Sequence, residues 1–268
     1  MSAAVELVRS GQLNDALAAL QQEVRQQPGE AKLRVFLFQL LAVLGQWERA
    51  AGQLQVAGEL DPAALPMVQT YREALQCEIL REEIFAGHRS PLVLGDPPPW
   101  LAGLLQALQL YAQGEAAGAR ALREQAFEAA PAQSGSIDGT PFAWCADADE
   151  RLGPVLEVVM NGRYYWVPFA RIGTVRIEAP TDLRDAVWTP ANFTWSNGGE
   201  AVGLIPTRYA GTAASGDNAL QLARRTDWLG DETLGYRGLG QRMLATDQGE
   251  YALMATREVR FDAETAAA

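Results

Sequence analysis

The chain contains very little histidine, lysine and cysteine, and each shortage excludes a class of function. His88 is the only histidine among 268 residues, which rules out metal sites and proton relays that need a histidine pair. Lys32 is the only lysine and the arginines are scattered, so no basic patch is available to a phosphate backbone. The two cysteines, Cys77 and Cys145, lie far apart in apolar stretches. We expect them to be buried free thiols.

Positive charge is also in deficit over the whole chain. There are 22 Lys and Arg residues against 33 Asp and Glu residues, and the net charge is −11. Such a field repels nucleic acid and anionic lipid, so we expect neither nucleic-acid binding nor membrane insertion. No run approaches the ~18 apolar residues of a membrane-spanning helix, and no signal peptide is visible at the start. We therefore expect a cytoplasmic protein.

Motifs for catalysis or cofactor binding are missing as well. The glycine-rich stretch 235–240 lacks the lysine and the Ser/Thr of a phosphate-binding loop. Asp147, Asp149 and Glu150 could hold a hard cation or serve in acid–base chemistry. However, Arg151 follows at once, and this favours a structural turn in which an aspartate pairs with an arginine. We expect no catalytic residue, no metal and no cofactor, and we keep a metal-dependent enzyme using Asp147 and Asp149 as an alternative.

The first half of the sequence contains an internal repeat. Three positions recur 34 residues later: Gly11, Ala16 and Pro28 return as Gly45, Ala50 and Pro62. This period is typical of tetratricopeptide (TPR) repeats, which are pairs of antiparallel helices. The glycine permits the tight turn, the alanine lets the helices approach closely, and the proline ends the unit. The pattern predicts TPR-like repeats that stack to bury their apolar faces.

A third copy of the repeat is weaker. Gly114, Ala119 and Pro131 keep the internal spacing, but Arg120 and Arg123 replace expected apolar positions. This predicts a capping unit with one solvated face. Between the second and third copies, apolar periodicity predicts a long helix over about 66–85. The segment 95–100, with three consecutive prolines, then ends the helical run.

The second half of the chain changes to a β-rich pattern. A turn-rich linker is predicted over 133–140. Beyond it, Asn161-Gly162 is the strongest short signal for a hairpin turn. Strands are predicted at 155–160, 163–168, 174–178, 201–206 and 251–261. Residues 220–228 fit either a short helix or a strand.

Together these patterns predict an α+β protein. TPR-like antiparallel helical repeats would occupy 1–132, a β-rich α+β domain 133–262, and a tail 263–268. The crowded tryptophans of the second domain are expected mainly in its core, with an exposed aromatic binding surface as the alternative.

Several linked motifs of the second half resemble one known family. They span Phe142–Pro154, Leu156–Phe169 and Pro180–Pro190, followed by Asn197–Glu200 and Ile205–Tyr209. As a set they are similar to the ImpE/TagJ family, accessory proteins of bacterial type VI secretion systems. That family also carries helical repeats before this domain, so the resemblance extends over nearly the whole chain.

The resemblance implies a non-enzymatic adaptor. It implies binding of an N-terminal helix of the small, TssB-like sheath subunit and a link from the contractile sheath to its disassembly ATPase, the AAA+ protein ClpV. The family has no catalytic residue to carry over. A structural scaffold within the secretion assembly is the alternative.

Contact residues follow from the physics of a helix docking in a groove, which needs apolar anchors and a polar rim. Aromatic and large apolar side chains are the expected anchors. The predicted partner-binding residues are Phe36, Leu40, Tyr71, Trp100, Tyr111, Tyr164, Trp166 and Trp188. The sequence does not decide which domain forms the groove.

Overall fold

Three layers make up the fold: helices, a large sheet and a small sheet. The computed structural model describes residues 2–231 and 235–263. The predicted tail therefore lies outside the described residues, apart from Ala263. Among these residues, no helix combines the length and the apolar character that crossing a bilayer requires.

The helical layer comes almost entirely from the first half, as predicted. Its helices are α1 (Ala3–Arg9), α2 (Leu13–Gln26), α3 (Ala31–Val43), α4 (Trp47–Leu60), α5 (Leu65–Phe85), α6 (Pro99–Ala112) and α7 (Ala116–Ala129), and α8 (Asn218–Gln221) follows later. The repeat glycines Gly11, Gly45 and Gly114 each have a positive φ of 69–83°, a conformation that favours glycine. They join α1 to α2, α3 to α4 and α6 to α7, so the three repeat copies correspond to helical hairpins.

The large sheet has nine strands in the order β1-β6-β5-β9-β8-β7-β14-β2-β3. The strands are β1 (Leu92–Val93), β2 (Gly135–Ile137), β3 (Thr140–Phe142), β4 (Cys145–Asp147), β5 (Val155–Met160), β6 (Arg163–Pro168), β7 (Ile172–Ile177), β8 (Trp188–Trp195), β9 (Glu200–Pro206), β10 (Thr226–Asp231), β11 (Gly235–Gly240), β12 (Met243–Thr246), β13 (Gly249–Ala252) and β14 (Glu258–Phe261). Strand β1 pairs parallel to β6, and the other pairings are antiparallel. The small sheet has the order β13-β12-β4, and β10 pairs with β11 in a separate ribbon.

The large sheet buries a different core on each face. Its helix-facing side chains, such as Val155, Val159 and Trp166, join the apolar faces of α1 to α6 in one cluster. Its other face, with Leu156 and Val158, packs against the small sheet. All six residues of β5 are buried, because covered faces on both sides remove the usual polar alternation. The helices and the sheet therefore share one continuous core.

Two arginines of the second half donate hydrogen bonds to backbone carbonyls at equivalent positions of the first two helical hairpins. Arg208 donates to the carbonyls of Val43 at 2.8 Å and Ala42 at 3.4 Å, and Arg224 donates to Val8 at 3.1 Å. Val8 and Ala42 are 34 residues apart, one repeat period. A cationic side chain at the carbonyl end of a helix satisfies groups that the helix leaves open. Because of the repeat, arginines of the second half contact the two hairpins at matching positions.

The close approach at the second of these turns requires glycine. A Cβ on Gly45 would lie 2.5 Å from the Cβ of Ala213. The glycine predicted from turn geometry therefore also permits contact between the halves.

Several predictions for the second half need correction. The predicted linker 133–140 instead contains β2 and begins β3, with Asp138 and Gly139 at positive φ in the turn between them. The predicted strand 251–261 is broken by a 3₁₀ helix at Leu253–Ala255. For residues 220–228 the sequence did not decide between helix and strand. In the structure this segment includes the end of α8 and the start of β10. Predicted strands 155–160 and 163–168 and their Asn161-Gly162 turn are confirmed, both turn residues having positive φ.

The third hairpin also differs from its predicted solvated face. Arg120 is exposed, but Arg123 is buried and pairs with Glu150 of the second half at 2.9 Å. A charged residue at an apolar repeat position here marks a contact with the other half. Cys77 and Cys145 are buried free thiols, as expected, and His88 lies exposed beside Glu83.

Candidate partner-binding site

The structure places most of the predicted contact residues inside the chain. Six are buried: Leu40, Tyr71, Trp100, Tyr164, Trp166 and Trp188. Phe36 and Tyr111 are half-buried. In the isolated chain the six buried side chains offer little surface to a partner, whereas Phe36 and Tyr111 remain partly accessible.

Several of the buried residues meet where the helices join the sheet. Trp188, at the start of β8, lies 5.6 Å from Tyr71, 6.3 Å from Trp47 and 6.5 Å from Phe38 between ring centroids. Its indole nitrogen donates to Glu78 Oε1 at 3.2 Å. Trp188 is fully buried, so this aromatic cluster joins the two halves.

A buried ionic network lies next to the aromatic cluster. Arg81 of α5 donates to Glu157 of β5 from Nε at 2.5 Å and from a terminal nitrogen at 3.0 Å, and it pairs with Glu78 at 3.3 Å. Arg242 bridges Glu157 and Asp147. All five side chains are buried. An unpaired buried charge is very costly. Loss of any one of these side chains would therefore leave its partner uncompensated and lower the stability of the fold.

Two carboxyl groups of the network have pKa values that are shifted in opposite directions. Burial alone would raise the pKa of Glu157, but Arg81 and Arg242 outweigh it and hold that pKa at about 2. For Asp147, burial dominates and raises the pKa to about 7, with Arg242 acting against it. Glu157 is thus ionised at neutral pH, and both arginines pair with it.

The acidic cluster considered for metal binding belongs to this structural region. Asp149 accepts hydrogen bonds from Arg151 and from the backbone of Gly238, and Asp147 accepts from Arg242. The predicted pairing of an aspartate with Arg151 is confirmed. Within 2–231 and 235–263, no group of three or more His, Cys, Asp or Glu side chains is placed to hold a metal ion. These carboxylates stabilise the turn after β4.

An open groove runs along the first turns of α3. Its volume is about 320 Å³, and it is lined by Ala31, Lys32, Val35, Phe36, Gln39, Asp61, Ala64 and Asp182. Positions 32, 35, 36 and 39 follow the i, i+3, i+4, i+7 spacing of one helix face. We call this feature the α3 groove. Its lining combines apolar side chains with Gln39 and with three charged residues at the rim, Lys32, Asp61 and Asp182.

An exposed apolar corner borders the α3 groove. The corner is formed by the end of α4, the 3₁₀ helix Pro62–Ala64 and the start of α5. Leu60 is 40% exposed and Leu65 is 52% exposed. An amphipathic helix could cover these leucines and the apolar lining of the groove together, so the groove and the corner form a candidate docking surface.

A second, larger groove lies elsewhere on the protein. It has a volume of about 720 Å³, and its lining includes Trp100, Arg171, Ile172 and Trp195. Ile172 begins β7, whereas Asp182 of the α3 groove follows the end of that strand. Tyr111 lies at neither groove but beside Arg237 of β11. The predicted contact residues are therefore not brought together in one site.

Sequence reasoning missed the polar residues of the α3 groove and most of the ionic network. Gln39 carried a readable signal, because it is the one polar residue in the apolar run from Val35 to Val43. No sequence signal connected Arg81 with Glu157, because 76 residues separate them. Their pairing depends on how the halves pack.

Comparisons with known proteins agree with this architecture. Residues 139–260 match the family described as ImpE protein. Over 259 residues the chain is 58% identical to the type VI secretion system accessory component TagJ of Pseudomonas aeruginosa, covering 97% of this chain and 91% of that protein. The crystal structure of protein VPA1032 from Vibrio parahaemolyticus aligns with a TM-score of 0.89 at 27% identity, covering 98% of each chain. The chain belongs to the ImpE/TagJ family of type VI secretion accessory proteins.

Proposed function

We propose that the protein is a non-enzymatic, cytoplasmic adaptor of a type VI secretion system. It binds the N-terminal helix of the small, TssB-like sheath subunit and links the sheath to the ClpV-type ATPase that disassembles it. The observation that supports this most directly is the α3 groove with its neighbouring apolar corner. A helix that lays an apolar face into such a groove buries that face and leaves its polar side in water.

The shared core of the two halves restricts where a partner helix can bind. The junction between helices and sheet is already filled by Trp188, Tyr71 and the ionic network. Opening it would leave Arg81 and Glu157 unpaired, which costs several kcal/mol. We therefore place the helix on the outer α3 groove, with Phe36 as its main aromatic contact.

A linking role needs a second surface that the first partner leaves uncovered. The larger groove at Trp100, Arg171 and Trp195 meets this need. Strand β7 begins at Ile172 in the larger groove and ends five residues before Asp182 of the α3 groove. We propose the larger groove for the ATPase, so that both partners are held close together.

Replacing Phe36 by alanine is expected to weaken binding of the sheath helix by about tenfold or more. Truncating an aromatic hot-spot residue costs about 2 kcal/mol or more, and about 1.4 kcal/mol already corresponds to a tenfold loss of affinity. The measurement is isothermal titration with a synthetic peptide that spans the N-terminal helix of the cognate small sheath subunit.

The matched control is Tyr236→Ala, which removes a 43% exposed aromatic ring from the β10–β11 ribbon. That ribbon does not line the α3 groove, so the control should bind the peptide like the wild type. Unchanged affinity in Phe36→Ala, or an equal loss in both variants, would place the helix elsewhere.

A further inference from the structure

One polar side chain of the α3 groove is nearly buried yet keeps its amide accessible to water in the groove. Gln39 is only 4% exposed, and its side chain makes no hydrogen bond to any residue of the described chain. It lines the groove together with Val35 and Phe36. A carboxamide has two donors and an acceptor to satisfy, and in the free protein the water in the open groove satisfies them, because neither amide atom of Gln39 is among the buried unpaired atoms of the described chain.

The position of Gln39 makes an apolar residue the expected choice. Its helical neighbours Phe38, Leu40 and Leu41 are all buried and apolar. At such a position a leucine or methionine would avoid the cost of desolvating an amide when a ligand covers the groove. The amide therefore suits a ligand that supplies hydrogen-bonding groups to the groove.

The rim of the groove adds charge of both signs. Lys32 and Asp61 each make no ion pair with a described residue, whereas Asp182 pairs with Arg184 at 3.2 Å. One Asp61 oxygen accepts a hydrogen bond from the backbone of Ala63. The rim thus offers Asp61 to a cationic residue of a ligand and Lys32 to an anionic one.

We propose that Gln39 determines which helix the α3 groove accepts, an inference that rests on the proposed function. The occupant is an amphipathic helix that carries one hydrogen-bonding side chain within its apolar face. Between its ends a helix satisfies its own backbone groups, so along its length only such a side chain can meet the Gln39 amide. A basic residue of the helix pairs with Asp61 and an acidic one with Lys32, which fixes the direction of the helix in the groove.

Discrimination follows from the cost of unsatisfied polar groups. A helix with a purely apolar face would seal the groove and cut Gln39 off from water without giving it a partner. Sites built around a buried hydrogen bond reject ligands that lack it more strongly than apolar pockets reject ligands of the wrong size. The same amide that costs little in the open groove therefore excludes wrong partners.

The test is a pair of measurements on Gln39→Met, which keeps the side-chain length and removes the amide. Affinity for the sheath-helix peptide should fall by about tenfold or more, because the peptide's polar group loses its partner. The melting temperature of the free variant should equal or exceed that of the wild type, because no internal hydrogen bond is lost. Gln22→Met, at an exposed position of α2, is the matched control and should change neither quantity.

Each other outcome overturns a distinct claim. Unchanged peptide affinity in Gln39→Met would overturn the selective role and leave Gln39 as a water-solvated amide. A clear drop in the melting temperature of the free variant would show that Gln39 has an internal role. A wild-type protein that fails to bind the peptide at all would overturn the proposed function, and this inference with it.

The charged rim is tested separately by Asp61→Asn. Asparagine caps a helix as well as aspartate does, so the hydrogen bond to Ala63 is kept while the charge is removed. The variant should bind the peptide more weakly at low salt, and its affinity should depend less on ionic strength. A salt dependence equal to that of the wild type would remove Asp61 from the recognition scheme.

Discussion

The variant Glu157→Gln is expected to lose about 3–5 kcal/mol of unfolding free energy at pH 7, the usual cost of breaking a buried ion pair. Glu157 is fully buried and accepts hydrogen bonds from Arg81, Arg242 and Tyr164. Glutamine keeps the shape but leaves two buried arginines with less negative charge than they need. Urea denaturation at equilibrium gives the free-energy difference directly.

The pH dependence of this difference identifies the charge of Glu157 as its cause. The folded-state pKa of about 2 lies below the ordinary value of 4.5, so the charge stabilises the fold fully above about pH 4.5. That contribution is lost as the pH falls from 4.5 towards 2. The gap between wild type and Glu157→Gln should therefore shrink over this range.

A surface pair provides the control for Glu157→Gln. Glu258 lies 3.1 Å from the exposed Arg176, and pairs of this kind contribute at most about 1 kcal/mol. Glu258→Gln should therefore cost little. If Glu157→Gln cost no more than Glu258→Gln, the buried network would not be what joins helices and sheet.

Trp188→Ala is expected to cost about 3–5 kcal/mol, the range for truncating a large buried aromatic. The indole touches three aromatic rings from the helical half and donates to Glu78. Its removal leaves a cavity at the junction and a carboxylate without one of its donors. Both urea denaturation and the melting temperature should report the loss.

Two further variants separate packing from hydrogen bonding at Trp188. Trp188→Phe keeps most of the aromatic contact but loses the bond to Glu78, so its cost should lie between wild type and Trp188→Ala. Trp144→Ala truncates a tryptophan that is 40% exposed and should cost far less. Equal effects of Trp188→Ala and Trp144→Ala would contradict the claim that the junction depends on Trp188.

Local signals in the sequence were enough to predict the helical half. Each repeat glycine acts through its own φ angle, and Asn161-Gly162 forms its turn without help from distant residues. Prediction from local signals failed where the same residue types suit two different structures. Asp138 and Gly139 are turn residues, but they close a short hairpin where a linker was predicted. Strand β8 was not predicted, and it contains Pro190, a residue that normally argues against a central strand.

The junction and the groove lay beyond sequence reasoning for a different reason. Tyr71 and Trp188 are residue types that often anchor protein interfaces. In this chain they pack against each other between its own two halves. An aromatic residue that packs on another domain of the same chain has the same sequence signature as one that packs on a partner. The α3 groove is built from α3, the 3₁₀ helix after α4 and the loop that carries Asp182. Only the packing of distant segments brings these together.

The most direct test of the account uses the fact that Lys32 is the only lysine in the chain. Lys32 is exposed at the rim of the α3 groove, so an excess of an amine-acylating reagent reports access to that rim. Mass spectrometry follows the acylation rate of Lys32 with and without saturating sheath-helix peptide, and Phe36→Ala serves as the variant with weakened binding. We expect the peptide to slow acylation severalfold in the wild type and much less in Phe36→Ala. An unchanged rate at a peptide concentration that saturates the titration would show that the helix binds elsewhere and would contradict the central claim.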